Sequence, residues 1–144
     1  CNGFQILIES GMLPGFLARN KELKFICKQT TLTVNSESNC KLVASLDSKK
    51  TLRIPVAHNE GSFFADAETL NIIEGNGQVV LRYASDSSAY SGNPNGSLND
   101  IAGVCSSNGK ILGMMPHPER AMGAGHESSD GEKLLQSVFE AIIT

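Results

Sequence analysis

The sequence predicts an α/β domain, and three observations carry that reading. Runs rich in β-branched residues recur at 25–34, 51–57 and 78–83, each bounded by Gly, Asn, Ser or Asp, which is the pattern of strands between turns. Near the end, Leu134, Leu135, Val138, Phe139, Ile142 and Ile143 recur at helical spacing and predict an amphipathic helix from about Gly131. The 144 residues are 40% hydrophobic, enough for one modest core that buries about two-thirds of the unfolded surface. No internal repeat and no second domain are visible.

Taken in order, the chain opens on Cys1-Asn2-Gly3-Phe4-Gln5 and the apolar run Ile6-Leu7-Ile8, a helix stopped at Ser10-Gly11. Met12 to Gly15 is a turn, and 19–24 is polar. The strand at Phe25–Val34 is followed by a loop over 35–39, and Cys40–Leu46 reads as a short strand. Thr51–Ala57 is a strand that runs into His58-Asn59-Glu60-Gly61, and Ser62–Ala65 a partner strand or extended arm. Asp66 caps a short helix to about Ile73, closed by Gly75-Asn76-Gly77, and Gln78–Tyr83 is a strand. Asp86–Asn99 is dense in Ser, Asn, Gly and Pro, the composition of a long binding loop. Ile101–Cys105 and Lys110–Met115 bracket Ser107-Asn108-Gly109 and form a hairpin. Ser129 and Glu132 have the spacing of a capping box for the last helix.

The two ends carry the chemistry. A cysteine ahead of a helix feels the positive end of the helix dipole, which favours the nucleophilic thiolate. The first helical amides have no partner within the helix, so the Asn2 N–H is free to hold a developing oxyanion. Gly3 allows close packing, as in the strand-turn-helix nucleophile elbow of hydrolases. At the other end, Met114-Met115-Pro116-His117-Pro118-Glu119-Arg120 sets a histidine and a glutamate one residue apart between prolines. A residue before proline is pushed out of the helical region, and residues i and i+2 of an extended segment share a side. Glu119 is thereby placed to orient the His117 ring, as a base that takes a thiol proton requires.

Cys1-x-Gly3-x-Gln5 together with His117-Pro118-Glu119 resembles the class I (triad) glutamine amidotransferases. The strings 55–61, 93–97 and 114–120 look like the branch that serves phosphoribosylformylglycinamidine synthase in purine biosynthesis. The resemblance covers nearly the whole chain. It implies a flavodoxin-like domain with a central, mostly parallel sheet and helices on both faces, of which residues 1–144 form the C-terminal portion. In the family, the elbow follows a buried strand, and a second oxyanion donor comes from an upstream loop. The resemblance therefore implies a domain incomplete at its N-terminus and nearly inactive alone, since each lost donor costs about a hundredfold or more. It makes Cys1 the nucleophile, His117 the general base and acid, Glu119 its orienting carboxylate and Asn2 an oxyanion donor. Gln5, Gly96 and Ser97 would hold the substrate, L-glutamine, with the 93–97 loop presenting backbone amides. The segment at His58 would lie on the rim where the synthetase docks. Ammonia would pass to a synthetase subunit that carries the ATP and Mg2+, with a small accessory subunit as a further partner and no cofactor in this chain.

Composition removes other classes. A net charge of −3 argues against nucleic acid, and no apolar run approaches the roughly 20 residues of a membrane helix. No signal peptide is visible, so the cytosol is the expected compartment. The four cysteines show no C-x-x-C spacing and read as reduced thiols rather than a disulfide frame. Irregular Cys and His spacing argues against a metal site, and Asn95-Gly96-Ser97, though a glycosylation pattern, means little without secretion. His126 is expected to do nothing. Three rivals stay open: an N-terminal-nucleophile hydrolase using the Cys1 amine as base, another triad enzyme such as a γ-glutamyl hydrolase, and a chain kept only for docking.

Overall fold

The computed structural model describes residues 1–85, 90 and 92–144. Residues 86–89 and 91 of the expected 86–99 loop lie outside that description. The helices are α1 (Asn2–Glu9), α2 (Ala67–Gly75) and α3 (Asp130–Ile143). The strands are β1 (Phe16–Ala18), β2 (Ile26–Val34), β3 (Thr51–His58), β4 (Ser62–Phe64), β5 (Val79–Tyr83), β6 (Ile101–Cys105) and β7 (Leu112–Met114). Strands β3-β2-β5-β6-β7 form a five-stranded sheet, and β1-β4 a two-stranded one.

The expected mostly parallel sheet is corrected: every described strand pair is antiparallel. Parallel neighbours need a crossover of a dozen or more residues, usually helical. The one helical crossover among the described residues, α2, returns the chain to the far side of β2. There β5 runs parallel to β3, but with β2 between them. The hairpin at Ser107-Asn108-Gly109 joins β6 and β7 as the sequence predicts, with Cys105 opposite Leu112 and Gly109 at a φ of 69°.

Helices on both faces hold. Phe4 of α1 and Ile73 of α2 pack with Val79, Ile101, Val104 and Met115 on one side. On the other, Leu134 of α3 packs with Ile54, Val56, Val80 and Ala102. Each such fully buried aliphatic side chain contributes about 1.5–3 kcal/mol. The six-residue face expected for α3 is narrower than its spacing suggests: Leu134 is buried and Val138 half-buried, while Leu135, Phe139, Ile142 and Ile143 are exposed.

Other local expectations change for local reasons. Residues 40–46 hold a 3-10 turn (Lys41–Val43) rather than a strand, and the turn lets Cys40 and Val43 reach the core with Leu42 and Leu46 packed against it. Ser129 makes no side-chain cap on α3. Instead Asp130 accepts from the Arg53 amide at 2.8 Å and from Lys133 Nζ at 2.6 Å, so the first turn is held by the neighbouring strand. Asp66 does cap α2, accepting from the Thr69 amide at 2.7 Å. Its carboxyl lies below the usual range because those hydrogen bonds favour the charged form. Glu74 and Arg82 form a two-pronged pair that ties α2 to β5.

Candidate active site

Cys1 is the N-cap residue of α1, and the Gln5 amide closes the first turn on the Cys1 carbonyl at 3.2 Å. The Asn2 amide opens the helix, where no intrahelical partner exists. Gly11, just past the C-cap Ser10, has a φ of 75°, the expected glycine stop. Phe4, the buried residue of α1, stacks on Phe63 with ring centroids 6.3 Å apart. It also covers Gly113 of β7, where an added Cβ would strike the Phe4 ring and lie 2.5 Å from Leu13 Cδ1. Glycine at 113 thus seats α1 flat on β7. Gly3 has no such role, since nothing lies within 4 Å of a Cβ placed there.

This seating brings the two chain ends together. The Cys1 amino nitrogen donates to the Met114 carbonyl at 3.4 Å, three residues before His117, and Cys1 packs against the cluster that contains Met115. His117 is extended (φ −102°, ψ 91°), and its amide donates to the Pro55 carbonyl of β3 at 2.8 Å. Glu119 sits on a 3-10 turn, Pro118–Arg120, not in the extended run expected. The turn still delivers the carboxylate: His117 Nδ1 and Glu119 Oε1 are 2.6 Å apart. A carboxylate only accepts, so Nδ1 carries the proton and Nε2 is left as the basic nitrogen. His117 Nε2 is buried and has no hydrogen-bond partner among the described residues. Burial would raise the Glu119 carboxyl, but the His117 hydrogen bond and the charges of His117 and Arg120 outweigh it and hold the group below the usual carboxylate range.

The substrate-binding expectations fare differently. Gln5 Nε2 donates to Glu9 Oε1 at 2.9 Å along the exposed side of α1. The 93–97 loop turns its amides inward: those of Asn95 and Gly96 donate to Asn93 Oδ1, and that of Ser97 to Asn95 Oδ1. The buried Ser97 hydroxyl donates to Asn95 Oδ1 at 2.8 Å and accepts from the Phe63 amide at 2.9 Å. Gly96, with a φ of 85°, packs on Lys21. The loop therefore presents none of these three amides outward. It braces the segment 58–63. His126 accepts from the Met122 amide at 3.2 Å within its own turn.

The sequence underrated His58. It is 1% exposed, at the end of β3. The buried positions of that strand are Leu52, Ile54, Val56 and His58, a period of two that would have placed His58 inside had it been extended by one residue. Asn95 Nδ2 lies 3.2 Å from His58 Nε2 and donates to the Gly61 carbonyl at 2.9 Å. Asn95 Oδ1 is fixed by Ser97, so Nδ2 must donate, His58 Nε2 must accept, and the ring is neutral with its proton on Nδ1. Gly61 leaves room for the ring, since a Cβ there would lie 2.5 Å from it. Asn20, wholly buried, completes the bracket by donating to the His58 carbonyl at 2.8 Å and accepting from the Gly61 amide at 3.2 Å.

Burial, reinforced by the charge of the Cys1 amino group and, less, by His117, pushes His58 down to about 4. An unfolded histidine takes its proton near pH 6.5, so the unfolded chain binds a proton that the folded one refuses. Stability is therefore expected to fall as pH drops from about 6.5 to about 4. Thermal melts across that window should show the fall in the wild type and a flatter response in His58→Gln. An equally steep response in the variant would remove His58 as its source.

Among the described residues no three His, Cys, Asp or Glu side chains are grouped to hold a metal, and no helix is long and apolar enough to cross a membrane. The profile of the CobB/CobQ-like glutamine amidotransferase domain matches residues 1–140. The chain is 50% identical to the phosphoribosylformylglycinamidine synthase subunit PurQ of Rhizobium meliloti over 142 residues, which is 99% of this chain and 61% of that protein. It is likewise 50% identical to that of Trichormus variabilis over 143 residues, again 99% and 61%. Among solved structures it is similar to that of PurLQS from Thermotoga maritima, with a TM-score of 0.77, 38% identity, and 98% of this chain and 59% of that one covered. The chain thus spans about three-fifths of the length of these relatives.

Proposed function

Because the chain belongs to the CobB/CobQ-like glutamine amidotransferase family, we propose that it performs the glutaminase half-reaction of a phosphoribosylformylglycinamidine synthase. The observation that carries the reading is the 2.6 Å His117–Glu119 pair beside the Cys1 end of α1, with the second imidazole nitrogen left without a partner. Half of the sequence is shared with named subunits of that enzyme.

In the proposed reaction His117 Nε2 takes the Cys1 thiol proton, and the sulfur attacks the side-chain carboxamide of L-glutamine. The tetrahedral oxyanion is held by the Asn2 amide and by the second donor that, in the family, an upstream loop outside residues 1–144 supplies. His117 then gives the proton to the departing ammonia, leaving a γ-glutamyl thioester. Water, deprotonated by His117, releases glutamate and restores the thiol. Glu119 keeps the ring in the Nδ1–H tautomer and stabilises the imidazolium between these steps. Ammonia would go to a synthetase partner that holds the ATP and Mg2+, this chain needing no cofactor of its own. A small accessory subunit would complete the assembly, in the cytoplasm. Gln5 would face substrate only after releasing Glu9, and Gly96 and Ser97 would act by shaping the 58–63 segment.

Alkylation by a glutamine-analogue chloroketone tests the nucleophile directly. Cys27 is exposed and Cys1 only partly so, which means that simple accessibility favours Cys27. Peptide mapping is expected to show Cys1 labelled first, with L-glutamine protecting it. Preferential labelling of Cys27, unaffected by glutamine, would leave a docking role as the better reading.

A further inference from the structure

Two thiols outside the proposed chemistry lie against each other in the core. Cys40 enters the 3-10 turn after β2, and Cys105 ends β6. Both are buried, at 3% and 0% exposure, in one core cluster, and the two thiols interact electrostatically. The backbones that carry them are already tied together. The Lys41 amide donates to the Gly109 carbonyl at 3.0 Å, Asn39 Nδ2 donates to the Ser107 carbonyl at 3.2 Å, and Cys105 Sγ donates to Asn39 Oδ1 at 3.1 Å. Cys40 also lines a surface hollow of about 400 Å³, with Asn35, Ser36, Ser38, Asn39 and Ser48 among its walls. A small oxidant therefore has a polar approach to one sulfur while the other waits behind it.

We propose that Cys40 and Cys105 form a reversible oxidation site, in which a hydroperoxide entering the hollow converts the pair to an internal disulfide. The Cys40 thiolate attacks one peroxide oxygen, the O–O bond breaks, and Cys40 sulfenic acid and hydroxide result. The Cys105 sulfur then attacks the Cys40 sulfur. The S–O bond breaks, and the Cys105 proton leaves with the departing hydroxyl as water. For hydrogen peroxide the sum is two thiols and one peroxide giving one disulfide and two waters, with each sulfur oxidised by one electron and the peroxide reduced by two.

The hollow assigns the order, because Cys40 lines it and Cys105 is not among its walls. The neighbouring Cys105 thiol lowers the Cys40 thiol, helped by the amides of Leu42 and Val43 and opposed by burial. Cys105 is raised by the same interaction, by burial and by the charge on Cys40. Cys40, on the wall of the hollow, is therefore the sulfur that meets peroxide, and its thiolate is the nucleophile. Once it is a neutral sulfenic acid, the charge that kept Cys105 protonated is gone, and Cys105 becomes the resolving thiol.

The native full chain, treated with one equivalent of hydrogen peroxide and then blocked with a maleimide, is mapped without reduction. The expected product is a crosslinked peptide pair containing Cys40 and Cys105, lighter by about 2 Da than the two thiol peptides together, and lost on adding a thiol reductant. In Cys40→Ser, Cys105 should be recovered fully blocked by the maleimide after denaturation. Recovery of both Cys40 and Cys105 as maleimide adducts while Cys1 or Cys27 is oxidised overturns the proposal. So does Cys40 stopping at sulfinic acid with Cys105 untouched. The map on the unsubstituted chain decides the matter even if the variant fails to fold.

Discussion

Replacing Cys1 with alanine is expected to abolish glutamine turnover, and replacing His117 with alanine to slow it by about a hundred- to ten-thousandfold. Without sulfur there is no atom on which a γ-glutamyl thioester can form. Without imidazole the thiol must ionise alone, and ammonia must leave without a proton. Glutamate release by the chain assembled with its proposed synthetase partner is the measurement. The double variant should be no slower than Cys1→Ala alone, because residues that act as one unit are not additive. Glu119→Gln is expected to cost less than His117→Ala, since a neutral amide can still contact Nδ1 but stabilises no imidazolium. Because the Glu119 carboxyl is held below the usual range, the pair is intact above the ordinary carboxylate pKa and is lost only as pH falls through the lowered value. The acid limb of the rate above that point must then come from another group. Near-normal turnover in His117→Ala, with Cys1→Ala dead, would place the base on another group and remove the triad.

What the sequence made legible was the local part of this arrangement. A helix with cysteine at its start and glycine at its end, a histidine locked between prolines, an Asn-Gly hairpin and an Asp-capped helix are each decided by a few adjacent residues, and each has its physical cause within one turn of chain. The direction of the strands is not of that kind. The alternation in β3 reads the same whether its neighbour runs parallel or antiparallel, so the family resemblance supplied a parallel sheet that these strands do not make. The pairing of β1 with β4 was equally silent, because three residues are too few for a period, and Phe16 is exposed. The least legible part was the bracket around His58. Asn20, Gly61 and Asn95 look like loop residues, and their hydrogen bonds cross 34 to 41 positions. Only the third dimension shows that these polar side chains are spent on one another.

Gly131→Ala is the substitution outside the triad with the largest expected effect. Gly131 lies in the first turn of α3, directly against the turn that carries Glu119. An added Cβ would fall on the Pro118 carbonyl oxygen, 2.7 Å from the Pro118 carbonyl carbon and 2.8 Å from the Ala121 oxygen. All three are backbone atoms, so no side chain can swing away to make room. The Glu132 amide also donates to the Ala121 carbonyl at 3.2 Å, which anchors the helix to the same turn. Either α3 lifts off the sheet, losing part of the packing of Leu134, or the 118–121 turn moves and takes Glu119 from His117. Overpacking of this kind costs about 1–3 kcal/mol. A displacement of about 1 Å at a reacting group can cost a hundredfold in rate. The expected result is therefore a lowered melting temperature together with a loss of turnover that persists well below the melt, where the chain is folded. Gly75→Ala is the matched control: it is also helical, nothing lies within 4 Å of its added Cβ, and alanine there should be neutral or stabilising by up to about 1 kcal/mol. If Gly131→Ala loses stability but keeps full turnover when folded, the helix rather than the turn has moved, and the coupling of α3 to the His117–Glu119 pair is refuted.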